Sequence, residues 1–402
     1  MNRGVFKVFM KQYIRFLPIF ILPLGCIGIS SGFQAGAILL WLISYYRLKD
    51  NYILKDFFSN ISIKYSLFFM LLWVLGVTVS DVYYFNSISG AKEGWHYLQR
   101  MFPFFLVGLF ALPDKKFFKY FWIGLSIAVL IVDVNVLYNF VIQNRWRPET
   151  MFGNPNKLAG FLILVLPFVV SGIFYFKQNQ RLKLHGLFIA LLTIIALLIS
   201  GSRGAILGIC GAYFIAMLLI QGQNYNFKRI LISSFIFLSV FFVVCTIIYN
   251  SYEAAIVRGY DMERIYLWQG AVNMFKDYPI FGVGNDNFNK YYVSEYMNPL
   301  AKEINLTSPH NIFLLYLAER GLVAGLPFIL MVLFQLYCTG KSLFKNNFKI
   351  NFWVLAGFVS VAGMSIHGIF DTQLTMRTYS LMYWLLYGLS CYSIIYEEQN
   401  NE

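Results

Sequence analysis

The sequence predicts an all-α membrane protein, a polytopic bundle of about 12 transmembrane helices with one large extracytoplasmic helical loop. Apolar residues make up 58% of its 402 positions and charged residues only 13%, whereas a soluble domain carries about 25% charge. The uncharged runs recur along the chain, and most approach the ~20 residues that a helix needs to cross a bilayer. They are too long and too uniformly apolar for barrel strands, so the spans are predicted to be helical.

The spans divide the chain into three predicted parts. Residues 1–250 hold helices one to nine, residues 251–309 form the large loop, and residues 310–402 hold the last three helices and a tail. No small-residue cleavage site follows the first apolar run, which indicates an uncleaved first helix. The predicted spans are approximately 13–30, 33–46, 65–80, 96–112, 118–141, 158–176, 184–200, 204–220, 229–250, 311–337, 351–371 and 376–396.

Alternate loops differ in positive charge and so predict the orientation. One set of loops, together with the N-terminus, holds 19 of the 32 lysines and arginines, and loops rich in these residues stay in the cytoplasm. Both termini are therefore predicted to be cytoplasmic and the 251–309 loop to lie outside. The net charge of +13 does not indicate nucleic acid, because the cations are scattered over short loops.

The cations on the predicted outer side are mainly arginines, whereas those inside are mainly lysines. The planar arginine fork suits bidentate contact with phosphate or carboxylate, so the group indicates an anionic ligand. A single arginine at a helix end can equally extend its head group to lipid phosphates. The outer arginines are Arg100, Arg145, Arg147, Arg203, Arg258, Arg264, Arg320 and Arg377.

A four-residue turn at 201–204, Gly-Ser-Arg-Gly, joins two apolar runs with almost no loop and sets Arg203 at the predicted outer boundary. Glycine permits such a tight turn. An arginine in so short a turn has few other partners, which favours a phosphate-binding role for Arg203. The small residues that continue the pattern indicate helix packing and not chemistry; they are Gly204, Gly208 and Ala212.

The large loop carries Arg258 and Arg264 and begins with a predicted amphipathic helix. Apolar residues recur at helical spacing from Met262 to Lys276, which is typical of a helix at the membrane surface. Arg264 and Trp268 are four positions apart and share a face. The predicted apolar face consists of Ile265, Trp268, Val272 and Phe275.

Pro279 is predicted to end this helix, and the glycines at 282 and 284 predict a turn. That turn is not a nucleotide loop, because it lacks the third glycine and a preceding strand. A second helix is predicted from Phe288 to Met297. Its tyrosines suit either the face of a sugar or the interfacial aromatic belt, and the sequence leaves both readings open.

His310 lies in Ser-Pro-His-Asn, at the predicted start of span ten. The positive end of a helix favours an anion and disfavours a charged imidazole. A neutral histidine there accepts a proton at physiological pH, which makes His310 a candidate general base. The alternative is a capping or structural histidine. Span ten is predicted to be interrupted near Gly321, after Glu319 and Arg320.

Three further polar residues fall within predicted spans. His367 and Asp371 are four positions apart near the outer end of span eleven, and a buried, satisfied pair is favoured there over a catalytic one. Asp133 occupies the outer half of span five. Because intramembrane acids usually face a cavity, Asp133 is predicted to line one, and its role stays open.

No metal or other cofactor is predicted. Phosphate-transferring enzymes that use a divalent ion need hard carboxylate ligands, and no outer loop carries an acid-x-acid pair. No spacing of serine, histidine and acid, or of cysteine and histidine, indicates a nucleophile. Charge stabilisation by arginine is therefore the expected chemistry.

Five short motifs, in this order, resemble the O-antigen ligase/polymerase family, and together they cover roughly the C-terminal two-thirds of the chain. The first 140 residues match only in hydropathy. The motifs are Asn154-Pro155-Asn156-x-x-Ala159-Gly160, Gly201-Ser202-Arg203-Gly204-Ala205, Arg264-x-x-x-Trp268, Pro279-Ile280-Phe281-Gly282-Val283-Gly284, and Pro309-His310-Asn311 followed by Glu319-x-Gly321.

The resemblance implies a glycosyltransferase of the bacterial inner membrane with its active site facing the periplasm. Members take a glycan from an undecaprenyl-diphosphate carrier; ligases transfer it to lipid A-core and polymerases to another lipid-linked glycan. By motif, Arg203 and Arg264 hold the diphosphate and His310 is the catalytic histidine. Arg258, Arg145 and Arg147 are weaker candidates for substrate binding.

A ligase is the favoured reading, with a repeat-unit polymerase of the same family as its alternative. A lipid-linked glycan transporter is a further alternative, although no inverted repeat is evident and the polarity is concentrated in one loop. A non-catalytic scaffold would tolerate loss of both arginines. The expected partners are the glycan donor, the acceptor and membrane lipid, with no nucleic acid.

Overall fold

The structure is a computed structural model, and it describes six stretches of the chain with scattered helical positions between 228 and 246. Helices make up 83% of it and the described stretches contain no strand, so the all-α prediction is confirmed. The predicted spans 33–46 and 229–250 lie outside the described residues, apart from those scattered positions. The six stretches are residues 17–28, 60–85, 90–110, 115–221, 254–345 and 351–401.

The helices follow the predicted apolar runs closely. Most boundaries differ from the predicted ones by a few residues. In chain order the described helices are α1 (Leu17–Cys26), α2 (Ile61–Phe85), α3 (Ala91–Phe110), α4 (Lys115–Val141), α5 (Pro155–Tyr175), α6 (Gln180–Ser200), α7 (Arg203–Gln221), α8 (Ala254–Asp277), α9 (Phe288–Tyr291), α10 (Ile312–Lys345), α11 (Phe352–Gly368) and α12 (Arg377–Asn401).

In the described part of the chain, six helices are long and apolar enough to cross a membrane. They are α2, α5, α6, α7, the Phe118–Val141 part of α4 and the Ile312–Phe344 part of α10. Helix α11 is apolar but shorter, at 17 residues. These helices indicate a multi-pass membrane protein, whereas the count of twelve spans and the extracytoplasmic loop stay predictions.

Helix α5 lies at the centre of the bundle, between α6 and α11. Asn154 caps it by accepting a hydrogen bond from the N–H of Asn156 at 2.8 Å, and Pro155 takes the first position, where a missing N–H costs nothing. Most of its side chains are buried on every face. A helix that is apolar all round is stable in such a position.

Helices α7 and α11 pack closely through small residues. A Cβ added to Gly208 would lie 2.7 Å from the carbonyl oxygen of Gly363, so neither helix could approach this closely with a larger residue there. Ala212, one turn further along, is fully buried. The predicted packing role of this small-residue stripe is confirmed.

Helix α10 is broken at Gly321, which has φ 60° and ψ −160°. Only glycine adopts this conformation without strain. A break leaves carbonyl groups before it and N–H groups after it without partners in the helix, and within a membrane these groups must find partners in the protein. The predicted interruption of span ten is confirmed.

The turn that follows α8, residues 279–284, supplies the missing partners. Its N–H groups bond to carbonyls before the break, and its carbonyls bond to N–H groups after the break. Because the two segments complete each other, the loop and α10 form one unit. The bonds run from Val283 N to Ala318 O at 2.9 Å, Gly284 N to Glu319 O at 2.8 Å, Leu322 N to Pro279 O at 2.8 Å and Val323 N to Ile280 O at 3.1 Å.

A buried ion pair attaches this unit to α2. Arg320 Nη1 donates to Asp81 Oδ2 at 2.7 Å, and Arg320 Nη2 donates to Asn285 Oδ1, also at 2.7 Å. Arg320 is 1% exposed and Asp81 0%. Removing one partner of such a pair leaves an uncompensated buried charge. The sequence predicts that Arg320 belongs to the group of arginines that binds an anionic ligand. That prediction is wrong, because the guanidinium of Arg320 bonds to Asp81 and Asn285.

Replacing Gly321 with alanine is expected to destabilise the protein by roughly 1–3 kcal/mol, from backbone strain alone. The added Cβ would also lie 2.2 Å from the carbonyl oxygen of Ile280. Thermal unfolding in detergent measures the effect. Gly363→Ala is the matched control, because its added Cβ would come no closer than 3.6 Å to the atoms of the neighbouring helix, where the carbonyl oxygen of Gly208 is nearest. Equal unfolding midpoints for the two variants would contradict the described break.

Helix α8 is longer than the predicted 262–276 segment, and one of its faces is buried against the protein. Leu267, Ala271 and Met274 are buried in a second apolar cluster that includes residues of α9 and α10. Ile265 and Val272, on the predicted apolar face, are 42% and 36% exposed, and the prediction that this face lies against the membrane surface stays a prediction. The direction of packing against α10 selects the face, and spacing along the helix does not show that direction.

Candidate active site

His310 lies two residues before α10 and has a left-handed backbone with φ 50°. Helix α10 is capped by the next residue, Asn311, whose Oδ1 accepts from the N–H groups of Phe313 and Leu314 at 3.0 Å each. The alternative that His310 caps the helix is therefore wrong. A structural role for His310 stays the alternative to a catalytic one.

The turn before α10 is bonded to α8. Trp268 Nε1 donates to the carbonyl oxygen of Pro309 at 3.0 Å. Because Arg264 lies one turn before Trp268 on α8, this bond brings the arginine and histidine segments together. Electrostatic interactions link Arg264 to both His310 and His367.

The pKa of His310 is lowered from its usual 6.5, first because burial disfavours the charged imidazole. The positive charges of Arg264 and Lys157 lower it further, while the negative charge of Asp371 opposes them. His310 is therefore neutral at physiological pH, as predicted, and able to accept a proton.

His367 lies against the N-terminal parts of two other helices. A Cβ added to Gly160 in α5 would lie 3.2 Å from His367 Nδ1, and one added to Gly204 in α7 would lie 3.2 Å from His367 Cδ2. A Cβ on the adjacent Gly368 would lie 2.9 Å from Ile312 Cγ2, at the start of α10. The N-terminal ends of α5, α7 and α10 thus converge around the end of α11.

Three helix N-terminal ends near one place favour an anion there, because each carries a partial positive charge, although side-chain caps already bond to N–H groups of α5 and α10. Two of the three add a cationic side chain. Arg203 is the first residue of α7 and is exposed, and Lys157 lies in the first turn of α5. Lys157 and the partly buried Arg264 of α8 act electrostatically on His310, whereas Arg203 precedes Gly204, whose added Cβ would lie 3.2 Å from His367 Cδ2.

The three weaker candidates are placed differently. Arg147 Nη2 donates to Asn156 Oδ1 at 3.3 Å, and a Cβ added to Gly201 would lie 3.2 Å from Arg147 Cγ. This brings Arg147 beside the turn that carries Arg203. Arg145 is exposed two residues earlier. Arg258 lies in α8, and its side chain is outside the described part.

His367 and Asp371 are both buried, at 1% and 2% exposure. Asp371 Oδ1 accepts from the N–H of Thr372 at 2.6 Å, but Asp371 Oδ2 and His367 Nδ1 have no hydrogen-bond partner. The prediction that both residues are buried is confirmed. Both residues adjoin the site, which sequence reasoning did not foresee.

Lys157 was also missed as a site residue. The run Asn154-Pro155-Asn156 is typical of a helix start. It could have shown that Lys157 lies in the first turn of a helix, on the predicted outer side.

The prediction that Asp133 lines a cavity is wrong. Asp133 is 0% exposed, and Thr193 Oγ1 donates to its Oδ2 at 2.7 Å. It lies between α4 and α6 and lines no open cavity.

Among the residues that the structure describes, no group of three or more histidines, cysteines, aspartates and glutamates could hold a metal ion. The prediction that the chemistry needs no metal is not tested by this arrangement. It stays a prediction that a chelation experiment can decide.

Residues 187–329 match the family model described as O-Antigen ligase. The match supports membership of the O-antigen ligase family. The resemblance that the motifs predicted is thereby confirmed. Members of the O-antigen ligase family are membrane glycosyltransferase-like enzymes. The matched segment includes Arg203, Arg264 and His310, whereas His367 and Asp371 lie beyond it.

A relative from Haemophilus influenzae (strain ATCC 51907 / DSM 11121 / KW20 / Rd) is described as an uncharacterized protein. It is 22% identical over 235 residues, which cover 53% of this chain and 57% of the relative. The aligned region thus spans little more than half the length of that relative. Its description adds no substrate to the family assignment.

Proposed function

We propose that this protein is an O-antigen ligase-type glycosyltransferase that moves a glycan from undecaprenyl diphosphate to lipid A-core. The reaction takes place on the periplasmic side of the bacterial inner membrane, with both termini in the cytoplasm and residues 251–309 outside. The observation that carries the proposal is that His310, beside the start of α10, interacts electrostatically with Arg264 of α8, and that both residues lie with Arg203 in the segment that matches the family.

Arg203 and Arg264 hold the diphosphate of the donor. As the sugar leaves, negative charge grows on the phosphate oxygens, and donors already directed at that position stabilise it without reorganisation. The helix ends of α5, α7 and α10 add partial positive charge. Lys157 adds positive charge beside His310, and Arg147, Arg145 and Arg258 are proposed as further contacts to the substrate.

His310 acts as the general base. Its neutral imidazole takes the proton from the acceptor hydroxyl while the acceptor oxygen forms a bond to the anomeric carbon. The bond from that carbon to the diphosphate breaks, and its electron pair leaves with undecaprenyl diphosphate. A single displacement of this kind inverts the anomeric centre. The imidazolium then releases its proton to solvent.

Transfer is expected to be independent of divalent metal, because arginines supply the charge stabilisation. Purified protein in vesicles, given the diphosphate-linked glycan and lipid A-core, should form the linked product at an unchanged rate in excess chelator. Loss of activity in chelator and its return with a divalent ion would remove the metal-free mechanism.

The pH dependence of transfer follows from the lowered pKa of His310. A general base is active when deprotonated, so the rate should fall only as pH drops through a value below 6.5. Asp371→Asn removes a charge that raises this pKa and should shift the acidic limb to lower pH. Arg264→Gln removes a charge that lowers it and should shift the limb to higher pH.

These opposite shifts are measured from initial rates across pH. Asn at position 371 can still accept the bond from the N–H of Thr372, so the local turn is preserved. Shifts of the same sign in both variants would contradict the assignment of the acidic limb to His310.

Deletion in the native host separates the ligase from a repeat-unit polymerase of the same family, which shares the donor chemistry. Loss of all glycan-bearing lipid A-core, with lipid-linked polymer accumulating, supports a ligase. A single repeat unit left on lipid A-core indicates a polymerase instead. Unchanged surface glycans would contradict both functions.

A further inference from the structure

The backbone of His310 has an unfavourable conformation that neighbouring residues must hold. Its φ of 50° is in the left-handed region, which residues with a side chain seldom adopt. Residues in such a conformation persist where contacts with the surrounding structure hold them in it, and they cluster at functional sites. The direction of the imidazole follows from this backbone, because Cβ is fixed to the Cα atom.

The hydrogen bonds on either side of His310 determine that conformation. The angle φ describes rotation about the bond from N to Cα, so it depends on the orientation of the peptide plane between Pro309 and His310. The bond from Trp268 Nε1 to Pro309 O, at 3.0 Å, fixes this plane. On the other side, the cap formed by Asn311 fixes the start of α10.

Trp268 is itself held in place by its helix and its neighbours. It is partly buried, and its ring centroid lies 6.3 Å from that of Phe370. Helix α8 is joined to α10 by the backbone bonds of the 279–284 turn. The indole N–H is therefore held at a fixed position beside Pro309. Arg264 lies on the same face of α8, one turn earlier.

We infer that Trp268 is a positioning residue, whose indole N–H holds His310 in its left-handed conformation and sets its position relative to Arg264. The inference rests on the proposed function for the role of His310. The alternative is that the ring of Trp268 only packs against its neighbours. The two roles can be separated, because packing needs the ring, whereas positioning needs the N–H donor.

Trp268→Phe removes the donor and keeps an aromatic ring. The matched control is Trp122→Phe, because Trp122 Nε1 also donates to a backbone carbonyl, that of Val169, at 3.3 Å. That bond joins α4 to the middle of α5. We expect Trp268→Phe to lower the maximal transfer rate about tenfold, with the half-saturating donor concentration unchanged, and Trp122→Phe to leave both quantities near the wild-type values.

A second readout needs no transferase activity. Diethyl pyrocarbonate modifies neutral imidazoles, and mass spectrometry of the peptides gives a separate rate for His310. The partly exposed His96 on α3 serves as the internal reference. Trp268→Phe should raise the rate at His310 several-fold relative to His96, because the turn is no longer held, while Trp122→Phe should not.

Equal His310 modification rates in the two variants would overturn the inference. So would a rate of transfer that falls equally in both. If the wild-type protein transfers no glycan, the proposed function fails, and the modification rates still decide whether Trp268 holds His310.

If Trp268→Phe does not fold, benzothienylalanine incorporated at position 268 keeps the shape of the indole and replaces only its N–H with sulfur. Faster modification of His310 in this protein supports the inference, and a wild-type rate contradicts it.

Discussion

Replacing His310 with alanine is expected to lower the rate of glycan transfer by roughly 10²–10⁴-fold, the usual contribution of a general base. The acceptor hydroxyl then loses the group that takes its proton. The loss should appear in the maximal rate more than in the half-saturating donor concentration, because Arg203 and Arg264 still bind the diphosphate. Initial rates in reconstituted vesicles measure both quantities.

His96→Ala is the matched control for this substitution. His96 lies on α3 and contacts Glu93 at 3.3 Å, so its loss should leave transfer near the wild-type rate. Near-normal transfer by well-expressed His310→Ala protein would exclude His310 from the mechanism. Equal losses in the two variants would show that histidine removal acts through general stability.

Replacing Arg264 with alanine is expected to reduce transfer by about 10²–10³-fold, the typical effect of losing one donor that stabilises transition-state charge. Arg264→Lys should recover part of the rate, because lysine keeps the charge and loses the planar fork. Arg203→Ala should show a loss of the same order. Rates with the diphosphate-linked donor at saturation compare the three variants.

The control for the arginines is Arg181→Ala. Arg181 is exposed in the first turn of α6, at the end of that helix opposite to Ser200 and the turn that carries Arg203. It should have no effect on transfer. If Arg264→Ala and Arg203→Ala transferred glycan as fast as Arg181→Ala, the proposal that these arginines hold the diphosphate would be wrong.

The sequence predicted the site through side chains whose chemistry is unusual for their position. An arginine in a turn of four residues and a histidine at the start of an apolar helix have few partners in the nearby sequence, and this marks them. Lys157 lacked such a mark, because a lysine beside a predicted membrane boundary is ordinary. Asp371 and His367 were noticed, but their place beside His310 depends on how α11 ends against α5, α7 and α10.

The role of Arg320 shows most clearly what a local sequence pattern cannot predict. By residue type and predicted side it resembles Arg203 and Arg264, yet its guanidinium bonds to Asp81 and Asn285. Asp81 is 239 positions away in the chain, so no local pattern relates the two.

The amino-acid sequence by itself determined that the chain is helical, that it is suited to a membrane and that α10 breaks at Gly321. Hydropathy, charge and glycine act over a few residues, so they can be read along the chain. Only the tertiary structure decided which cations surround His310 and which pair elsewhere, because that depends on distances between helices remote in sequence. The left-handed backbone of His310 belongs to this second group, since contacts from Trp268 and Asn311 together hold it.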